Sequence, residues 1–330
     1  MVNEIVAIGH HYPPHIVGND LFVERAQYRV PRLESLARET KMKTRRWCGP
    51  GESTWTMARA AVDAAFDAAP VQGLQDEIDL IIVSSASTLP HAHAPEPETP
   101  SMAELAPLIA DHLGRKVLSI DLRAVACTGF LRGLELADAM LATGRYRAAL
   151  VVASECTSQF ATAASNRSGF CYIMGDAAGA AILRPTQRRE RVGLRDHCGY
   201  IDGSKRGWMS FGDDLASFVV RGAQLGPATI EMMAECGRTL LQRNELSPDE
   251  VDWLLPIQTH AGLVEGLCQA LAWDPAKLLW QGDVRGFSGS SSIPACLSQQ
   301  LEQGRVERGA SVLALAVGAG LNCAGSLFYV

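Results

Sequence analysis

Cys127 is the residue whose setting most clearly suggests chemistry. It follows a short apolar segment, residues 117–121, with the composition of a strand. Apolar residues then recur at helical spacing from Leu131 to Leu141. A thiol at a strand–helix junction lies beside unpaired backbone N–H groups and the positive end of the helix dipole. Both favour a thiolate, so the pattern predicts a cysteine nucleophile. The alternative is a buried apolar thiol.

His260 is the histidine best placed to act as a base, because it follows a short apolar run where a helix is predicted to start. A helix-capping or core histidine is the alternative. His91 and His93 stand two apart in a Pro-rich loop, without a cysteine or acidic residue at ligand spacing. The sequence therefore predicts no metal site.

Composition limits the class of protein. The chain has 330 residues, 47% hydrophobic and 20% charged, enough for two domains or one duplicated unit. A net charge of −6 without a long basic run argues against a nucleic-acid partner. No membrane span or leader pattern occurs in the sequence. Nine scattered cysteines are typical of reduced thiols. We therefore expect a cytoplasmic protein with no membrane partner.

The sequence contains an internal repeat. An acidic lead-in followed by an apolar run occurs at residues 76–83 and again at 249–258, each after a predicted helix. A helix, a Gly-Arg pair and an apolar strand also occur in both halves, around Gly144-Arg145 and Gly304-Arg305. This order predicts a duplicated α/β unit. Continuous apolar strands between helices predict mainly parallel sheets covered on both faces.

Several motifs, in sequence order, resemble the thiolase fold and, within it, the β-ketoacyl-acyl carrier protein synthase III branch. These residues are Gly9, Pro13, Ile16, Asn19, Asp121, Cys127, Gly129, Phe130, residues 174–183, residues 252–256, residues 292–294 and residues 318–320. One residue more separates Asp121 from Cys127 than in the family. The resemblance implies an α/β fold of duplicated αβα units in a five-layered αβαβα architecture. Residues 1–185 would carry the nucleophile, and residues 186–330 would carry His260 and the Gly-rich loops.

The resemblance also implies site residues. The branch uses a Cys–His–Asn triad, but here Ile257 stands at the histidine position and Phe287 at the asparagine position. The backbone N–H groups of Cys127 and Ala319 would form an oxyanion hole. The pocket residues implied are Ile257, Phe287, Ser288 and Asn322. The segment containing Arg45, Arg46 and Trp47 would bind coenzyme A or phosphopantetheine, with a solvated helix end as the alternative.

An intact nucleophile segment with altered histidine and asparagine positions predicts an acyltransferase. Cys127 would take an acyl group from acyl-coenzyme A or acyl carrier protein and pass it to a small-molecule or carrier-bound acceptor, without a permanently bound cofactor. The alternatives are decarboxylative condensation with a malonyl thioester, with His260 as base, and a non-catalytic subunit paired with an active paralogue. The resemblance implies a homodimer or such a heterodimer, with the loop 86–100 covering the partner's pocket.

Overall fold

The apolar runs of the sequence form two β-sheets, and the amphipathic segments form the helices that cover them. The computed structural model describes residues 2–25, 28–30, 32–86, 105–123, 125–161, 169–188, 190–211, 218–220 and 224–330. Most of the loop 86–100, for which a partner contact was predicted, lies outside these residues.

The strands are β1 Val2–His11, β2 Ile16–Gly18, β3 Thr44–Arg46, β4 Ile78–Ser84, β5 Leu118–Leu122, β6 Ala148–Cys156, β7 Asp176–Thr186, β8 Gly193–Ile201, β9 Met209–Phe211, β10 Phe218–Val220, β11 Trp253–Pro256, β12 Ser311–Gly318 and β13 Asn322–Tyr329. The helices are α1 Leu21–Glu24, α2 Leu33–Thr40, α3 Thr54–Asp67, α4 Leu105–His112, α5 Gly129–Ala142, α6 Leu225–Arg243, α7 Ala261–Leu271, α8 Gly282–Arg285 and α9 Ser292–Glu302.

The two main sheets repeat one another. The first has the strand order β1-β7-β6-β4-β5, and the second has β8-β13-β12-β11. Strand β6 pairs parallel with β4 and antiparallel with β7, just as β12 pairs parallel with β11 and antiparallel with β13. Beyond β11, a single parallel bridge between Leu254 and Leu278 occupies the place that β5 holds in the first sheet. The duplication predicted from the sequence is therefore present.

The expectation of mainly parallel sheets was wrong, because both sheets are mixed. Strands β7 and β13 each run antiparallel to both of their neighbours. The turn at residues 319–321 is too short for a crossover helix, so β13 must return antiparallel to β12. Continuous apolar strands showed that both faces are covered, and they did not report strand direction.

Five layers follow from the packing. Helices α3 and α4 cover the outer face of the first sheet, and α6 covers the outer face of the second and packs on α7. Helices α5 and α9 lie between the sheets and contact strands of both. The order is αβαβα, as the resemblance implied. The first sheet ends at Thr186 and the second begins at Gly193, so we retain 1–185 and 186–330 as the proposed halves.

Strand β4 shows how burial on two faces is encoded. Leu80 and Ile82 point into the central core between the sheets, whereas Ile81 and Val83 pack beneath the outer helices. Since successive strand residues face opposite sides, a strand covered on both sides must be apolar throughout. In the part of the chain that the structure describes, no helix has both the length and the apolar character to cross a bilayer.

Candidate active site

Cys127 lies in a tight turn at the carboxyl-terminal edge of the first sheet. Strand β5 ends at Leu122, a 3-10 turn spans Ala126–Thr128, and α5 begins at Gly129. Ala126 has a positive φ of 45°, which is unfavourable for a residue with a Cβ and is found where surrounding structure imposes it. A Cβ on Gly129 would lie 1.6 Å from Ser84 Oγ, so only glycine lets α5 approach β4 this closely.

The Cys127 thiol is half-buried, and its pKa is raised to about 12. Burial is the main cause, and the negative charge of Glu155 adds to it. The backbone N–H groups of Ala319 and of Cys127 itself act in the opposite direction without prevailing. The resting group is therefore a thiol. The expectation that the helix start alone would yield a thiolate was wrong, because desolvation and a nearby carboxylate outweigh the backbone donors.

The connection between β12 and β13 supplies the second wall of the site. The backbone N–H groups of Ala319 and of Cys127, the two donors assigned to an oxyanion hole, both act on the Cys127 thiol in the direction of a lower pKa. A Cβ on Gly318 would lie only 2.8 Å from the Cys127 nitrogen. Glycine at this position therefore allows the connection to press against the nucleophile turn.

Asn322 and Ser288 are both buried, and hydrogen bonds engage the Asn322 side chain and the Ser288 backbone carbonyl. The Asn322 amide donates to the carbonyl of Val125 (3.4 Å) and accepts from Arg132 (3.3 Å). It thus ties β13 to the residues just before Cys127. Ser288 is 2% exposed, and its carbonyl accepts the hydroxyl of Ser291 at 2.7 Å. Both contacts hold the backbone in place.

Glu155 was missed by the sequence analysis. It lies near the end of β6 and is 2% exposed. Its carboxylate accepts the Ser290 hydroxyl at 2.6 Å and the Ala86 N–H at 3.1 Å. An acidic residue inside an otherwise apolar strand could have signalled it. Because β4, β5 and β6 are parallel, the end of β6 and the turn that follows β5 lie at the same edge of the sheet.

His260 is the residue just before α7 and is half-buried. Its side chain makes no capping hydrogen bond, and its Nδ1 has no partner among the described residues. Burial lowers its pKa below 6.5, against the attraction of Glu39. The imidazole is therefore neutral near pH 7. The negative charge that acts on His260 is that of Glu39, and among the described residues no hydrogen bond joins its side chain to Cys127.

Ile257 and Phe287 are held in the core by their backbones. Ile257 is 1% exposed and its N–H continues the bonding to β12. The Phe287 N–H donates to Ile173 (2.7 Å), and its carbonyl accepts from the Gly175 N–H (2.8 Å) and the Thr157 hydroxyl (3.0 Å). These backbone hydrogen bonds fix the register of both segments, so apolar side chains stand at positions 257 and 287.

Arg45 is a structural residue rather than a surface ligand. It is 0% exposed, and its guanidinium lies 4.7 Å from the ring centroids of Phe22 and Tyr172. It donates to the Tyr172 carbonyl at 2.7 Å and to the Asn19 side chain at 2.9 Å. Burial lowers its pKa to about 10, so it remains charged. This burial does not fit the predicted contact between Arg45 and a phosphate of coenzyme A or phosphopantetheine.

Trp47 is also inside the protein, 7% exposed, with its indole N–H donating to the Met174 carbonyl at 2.9 Å. A ring buried there does not fit the contact with coenzyme A or phosphopantetheine that the resemblance implied. Arg46 is half-buried and donates to the carbonyls of Pro13 and Pro14. Nearby Lys41 and Lys43 are exposed and pair with Glu265 and Asp283.

The described residues include one cluster with metal-ligand chemistry. Cys48, Cys156 and Asp176 bring their donor atoms within 4.8 Å of one another. The Asp176 carboxylate, however, already accepts the Cys48 N–H (2.7 Å), the Ser158 N–H (2.8 Å) and the Ser158 hydroxyl (2.6 Å). Because these oxygens already accept hydrogen bonds, we interpret the cluster as a buried hydrogen-bonded contact between β6 and β7.

A groove of about 960 Å³ opens at the other edge of the sheets. Charged residues line much of it, including Glu4, Arg184, Asp252 and Arg308. Arg184 pairs with Glu4 at 3.6 Å, and Arg308 donates to backbone carbonyls of β1. The groove contains none of the residues around Cys127, so it is separate from the candidate active site.

Comparison with known proteins identifies the family models and relatives that this chain matches. A family model described as 3-oxoacyl-[acyl-carrier-protein (ACP)] synthase III matches residues 120–198, and the model of its C-terminal part matches residues 241–330. Together they match slightly more than half of the chain. The chain is 27% identical over 334 residues, covering 99% of each protein, to a beta-ketoacyl-[acyl-carrier-protein] synthase III of Rickettsia prowazekii (strain Madrid E).

Solved structures agree on the fold. The crystal structure of 3-oxoacyl-[acyl-carrier-protein] synthase III from Aquifex aeolicus VF5 superposes with a TM-score of 0.85 at 24% identity, covering 99% of this chain and 100% of that one. The synthase III from Pseudomonas aeruginosa PAO1 gives 0.86 at 20% identity, covering 100% and 98%. With the duplicated sheets and the cysteine turn, these matches establish that the chain belongs to the 3-oxoacyl-[acyl-carrier-protein] synthase III family of thiolase-fold acyltransferases.

Proposed function

We propose that this protein transfers an acyl group through Cys127 without decarboxylating a malonyl thioester. The acyl donor is an acyl-coenzyme A or an acyl carrier protein thioester. The Cys127 sulfur bonds to the acyl carbon, the carbon–sulfur bond of the donor breaks, and the donor thiol leaves with a proton. An acceptor with a removable proton then attacks the acyl-enzyme and regenerates the thiol.

One observation carries this proposal. The cysteine turn retains both backbone donors, whereas Ile257 and Phe287, which the family resemblance aligns with histidine and asparagine, are buried apolar side chains. Backbone donors aimed at a developing oxyanion contribute about 3–4 kcal/mol each to acyl transfer. An enolate facing two apolar side chains lacks such donors. Acyl loading is therefore supported, and decarboxylation loses its usual groups.

Mass spectrometry of the intact protein tests the loading step. After mixing with acetyl-, hexanoyl- or decanoyl-coenzyme A, we expect a mass gain of one acyl group in the wild type and none in Cys127→Ala. A gain that persists in Cys127→Ala refutes the proposal. No gain with any donor, including acylated carrier protein, also refutes it and favours a non-catalytic subunit.

Decarboxylative condensation is the second candidate, favoured by the neutral His260 with its unpartnered Nδ1. Release of labelled carbon dioxide from malonyl thioester, lost in His260→Gln, would support it over simple transfer. We expect no release above a protein-free control.

We further propose that the protein is a homodimer, as the family resemblance implies. Light scattering coupled to gel filtration should give twice the mass of 35.5 kDa. A monomeric mass would remove this part of the proposal.

A further inference from the structure

Arg132 lies near the start of α5, the helix that follows the turn containing Cys127. Its guanidinium donates to the carboxylate of Glu135 at 2.7 Å, to the side-chain oxygen of Asn322 at 3.3 Å and to the carbonyl of Cys323 at 2.9 Å. Asn322 and Cys323 are the first two residues of β13. One side chain therefore joins the nucleophile helix to the start of that strand.

A glycine on the neighbouring strand β8 makes room for this guanidinium. A Cβ on Gly199 would lie 2.5 Å from Nη2 of Arg132 and 2.4 Å from the carbonyl oxygen of Cys323. Gly199 pairs with Ala324 in the ladder between β8 and β13. Because the glycine has no side chain, the guanidinium can lie directly against the backbone of both strands.

The position of Arg132 also fixes which way the Asn322 amide faces. Arginine has N–H donors and no acceptor, so the amide oxygen of Asn322 must face it. The amide nitrogen then faces the carbonyl of Val125 and donates to it at 3.4 Å. The arginine therefore orients a hydrogen bond in which it takes no part.

These contacts form a closed loop around the nucleophile turn, Ala126–Thr128. Val125 precedes the turn and Arg132 follows it, and the side chain of Asn322 binds both. Asn322 also comes directly after the connection that contains Ala319. The closed loop therefore holds the nucleophile turn against that connection, and with it the two backbone N–H groups assigned to the oxyanion hole.

We propose that Arg132 is a positioning residue for acyl transfer, acting through Asn322. By orienting the amide, it keeps the backbone N–H groups of Cys127 and Ala319 at a fixed distance from one another. The thioester oxygen gains negative charge as the Cys127 sulfur bonds to the acyl carbon, and preorganised donors stabilise that charge. The inference rests on the proposed transfer through Cys127 and adds the residue that keeps its two donors in place.

Replacing Arg132 tests the proposal through the step that needs the oxyanion donors. Acylation by hexanoyl-coenzyme A, at saturating donor, should be about 10²-fold slower in Arg132→Met, the loss that follows a misplacement of about 1 Å. Arg132→Lys should recover part of the rate, because an ammonium keeps the charge but cannot reproduce the planar arrangement of donors. The donor concentration that gives half the maximal rate should stay within about threefold, because only the transition state carries the oxyanion charge.

Alkylation of Cys127 by iodoacetamide separates positioning of the donors from a general loosening of the site. This reaction develops no oxyanion, so at alkaline pH its rate in Arg132→Met should stay within about threefold of the wild type. Cys127→Ala is the blank. Circular dichroism and thermal melting confirm that each variant is folded.

Asn322→Asp gives the arrangement a distinctive signature. The aspartate forms a charge-assisted pair with Arg132, but it presents an oxygen instead of an N–H to the Val125 carbonyl. Two acceptors repel, so the turn moves away from β13 although the pair with the arginine is strengthened. We therefore expect acylation to slow in this variant as well.

Two further variants complete the design. Arg238 of α6 is the matched control, since it pairs with Glu231 at 2.6 Å and donates to the carbonyl of Ala270 at 3.4 Å. Arg238→Met should change neither acylation nor alkylation. If Arg132 acts through Asn322, the double variant of Arg132→Met and Asn322→Ala should acylate no more slowly than the slower single variant.

Three results would overturn the inference: acylation of Arg132→Met within about threefold of the wild type, an equal fall in acylation and alkylation, or additive losses in the double variant. If the wild type forms no acyl-enzyme with any donor, the proposed function fails on its own. Hydrogen exchange then still tests the positioning. The backbone amides of residues 125–128 and 319–323 should exchange faster in Arg132→Met and not in Arg238→Met, and unchanged exchange would overturn the inference.

Discussion

Gly318 offers a direct test of the site geometry. A Cβ at this position would lie 2.8 Å from the Cys127 nitrogen and 3.2 Å from the Cβ of Ala126. Real Cβ atoms do not approach a backbone nitrogen this closely, so Gly318→Ala must push the two turns apart by several tenths of an ångström. The Cys127 N–H is one of the two donors aimed at the reacting centre, and it moves directly.

The expected loss follows from that displacement. Removing one oxyanion donor costs about 10²–10³-fold in rate, and a misplacement of about 1 Å costs about 10²-fold. We therefore expect Gly318→Ala to acylate about 10²-fold more slowly. Overpacking should also lower the free energy of unfolding by about 1–3 kcal/mol. The protein remains folded, because both turns are at the edge of the sheets.

The assay follows the acyl-enzyme mass against time with hexanoyl-coenzyme A, beside a urea unfolding curve. Gly304→Ala is the matched control, since Gly304 has a φ of 70° and no atom within 4 Å of its added Cβ. It should lose about 1 kcal/mol of stability through backbone strain and keep its acylation rate. Acylation of Gly318→Ala within threefold of the wild type would refute the close approach as a requirement of the site.

Two further predictions concern stability. Arg45→Met should lower the free energy of unfolding by about 2–4 kcal/mol, because buried carbonyls lose their donor, whereas Lys43→Ala, which removes an exposed ion pair, should cost less than about 1 kcal/mol. Equal losses in urea unfolding would contradict the structural role of Arg45. Burial lowers the pKa of His10 and of His260 below 6.5, so the unfolded chain binds more protons than the folded protein. The free energy of unfolding should therefore fall as the pH drops below 6.5, by at most about 1.4 kcal/mol per pH unit for each histidine. His10→Gln should flatten that slope between pH 7.5 and 5.5; an unchanged slope would show that His10 makes no contribution to it.

The scaffold was predictable because it depends on patterns that recur along the chain. The strand β4 and its partner copy β11 each follow an acidic lead-in, and their apolar runs report burial on both faces. Strand direction was not predictable from those runs. It depends on connection length, and the short turn at residues 319–321 forces an antiparallel return.

The segment containing Arg45, Arg46 and Trp47 shows why the placement of side chains was harder to predict than the strands and helices. The basic residues around Arg45 and Trp47 in the sequence predicted that both side chains lie on the surface. Their partners, Tyr172 and Met174, are 127 residues away and bring both side chains into the core. Local composition contains no information about such a partner, and a buried arginine stacked between two rings looks the same in sequence as an exposed one.

Cys127 shows both what the sequence could predict, its place between a strand and a helix, and what it could not, the surroundings of its side chain. The strand–helix junction was predicted correctly, but the pKa of its thiol is raised mainly by burial and further by Glu155, which comes from a different strand. The resting thiol is therefore poorly reactive toward alkylating agents and oxidants.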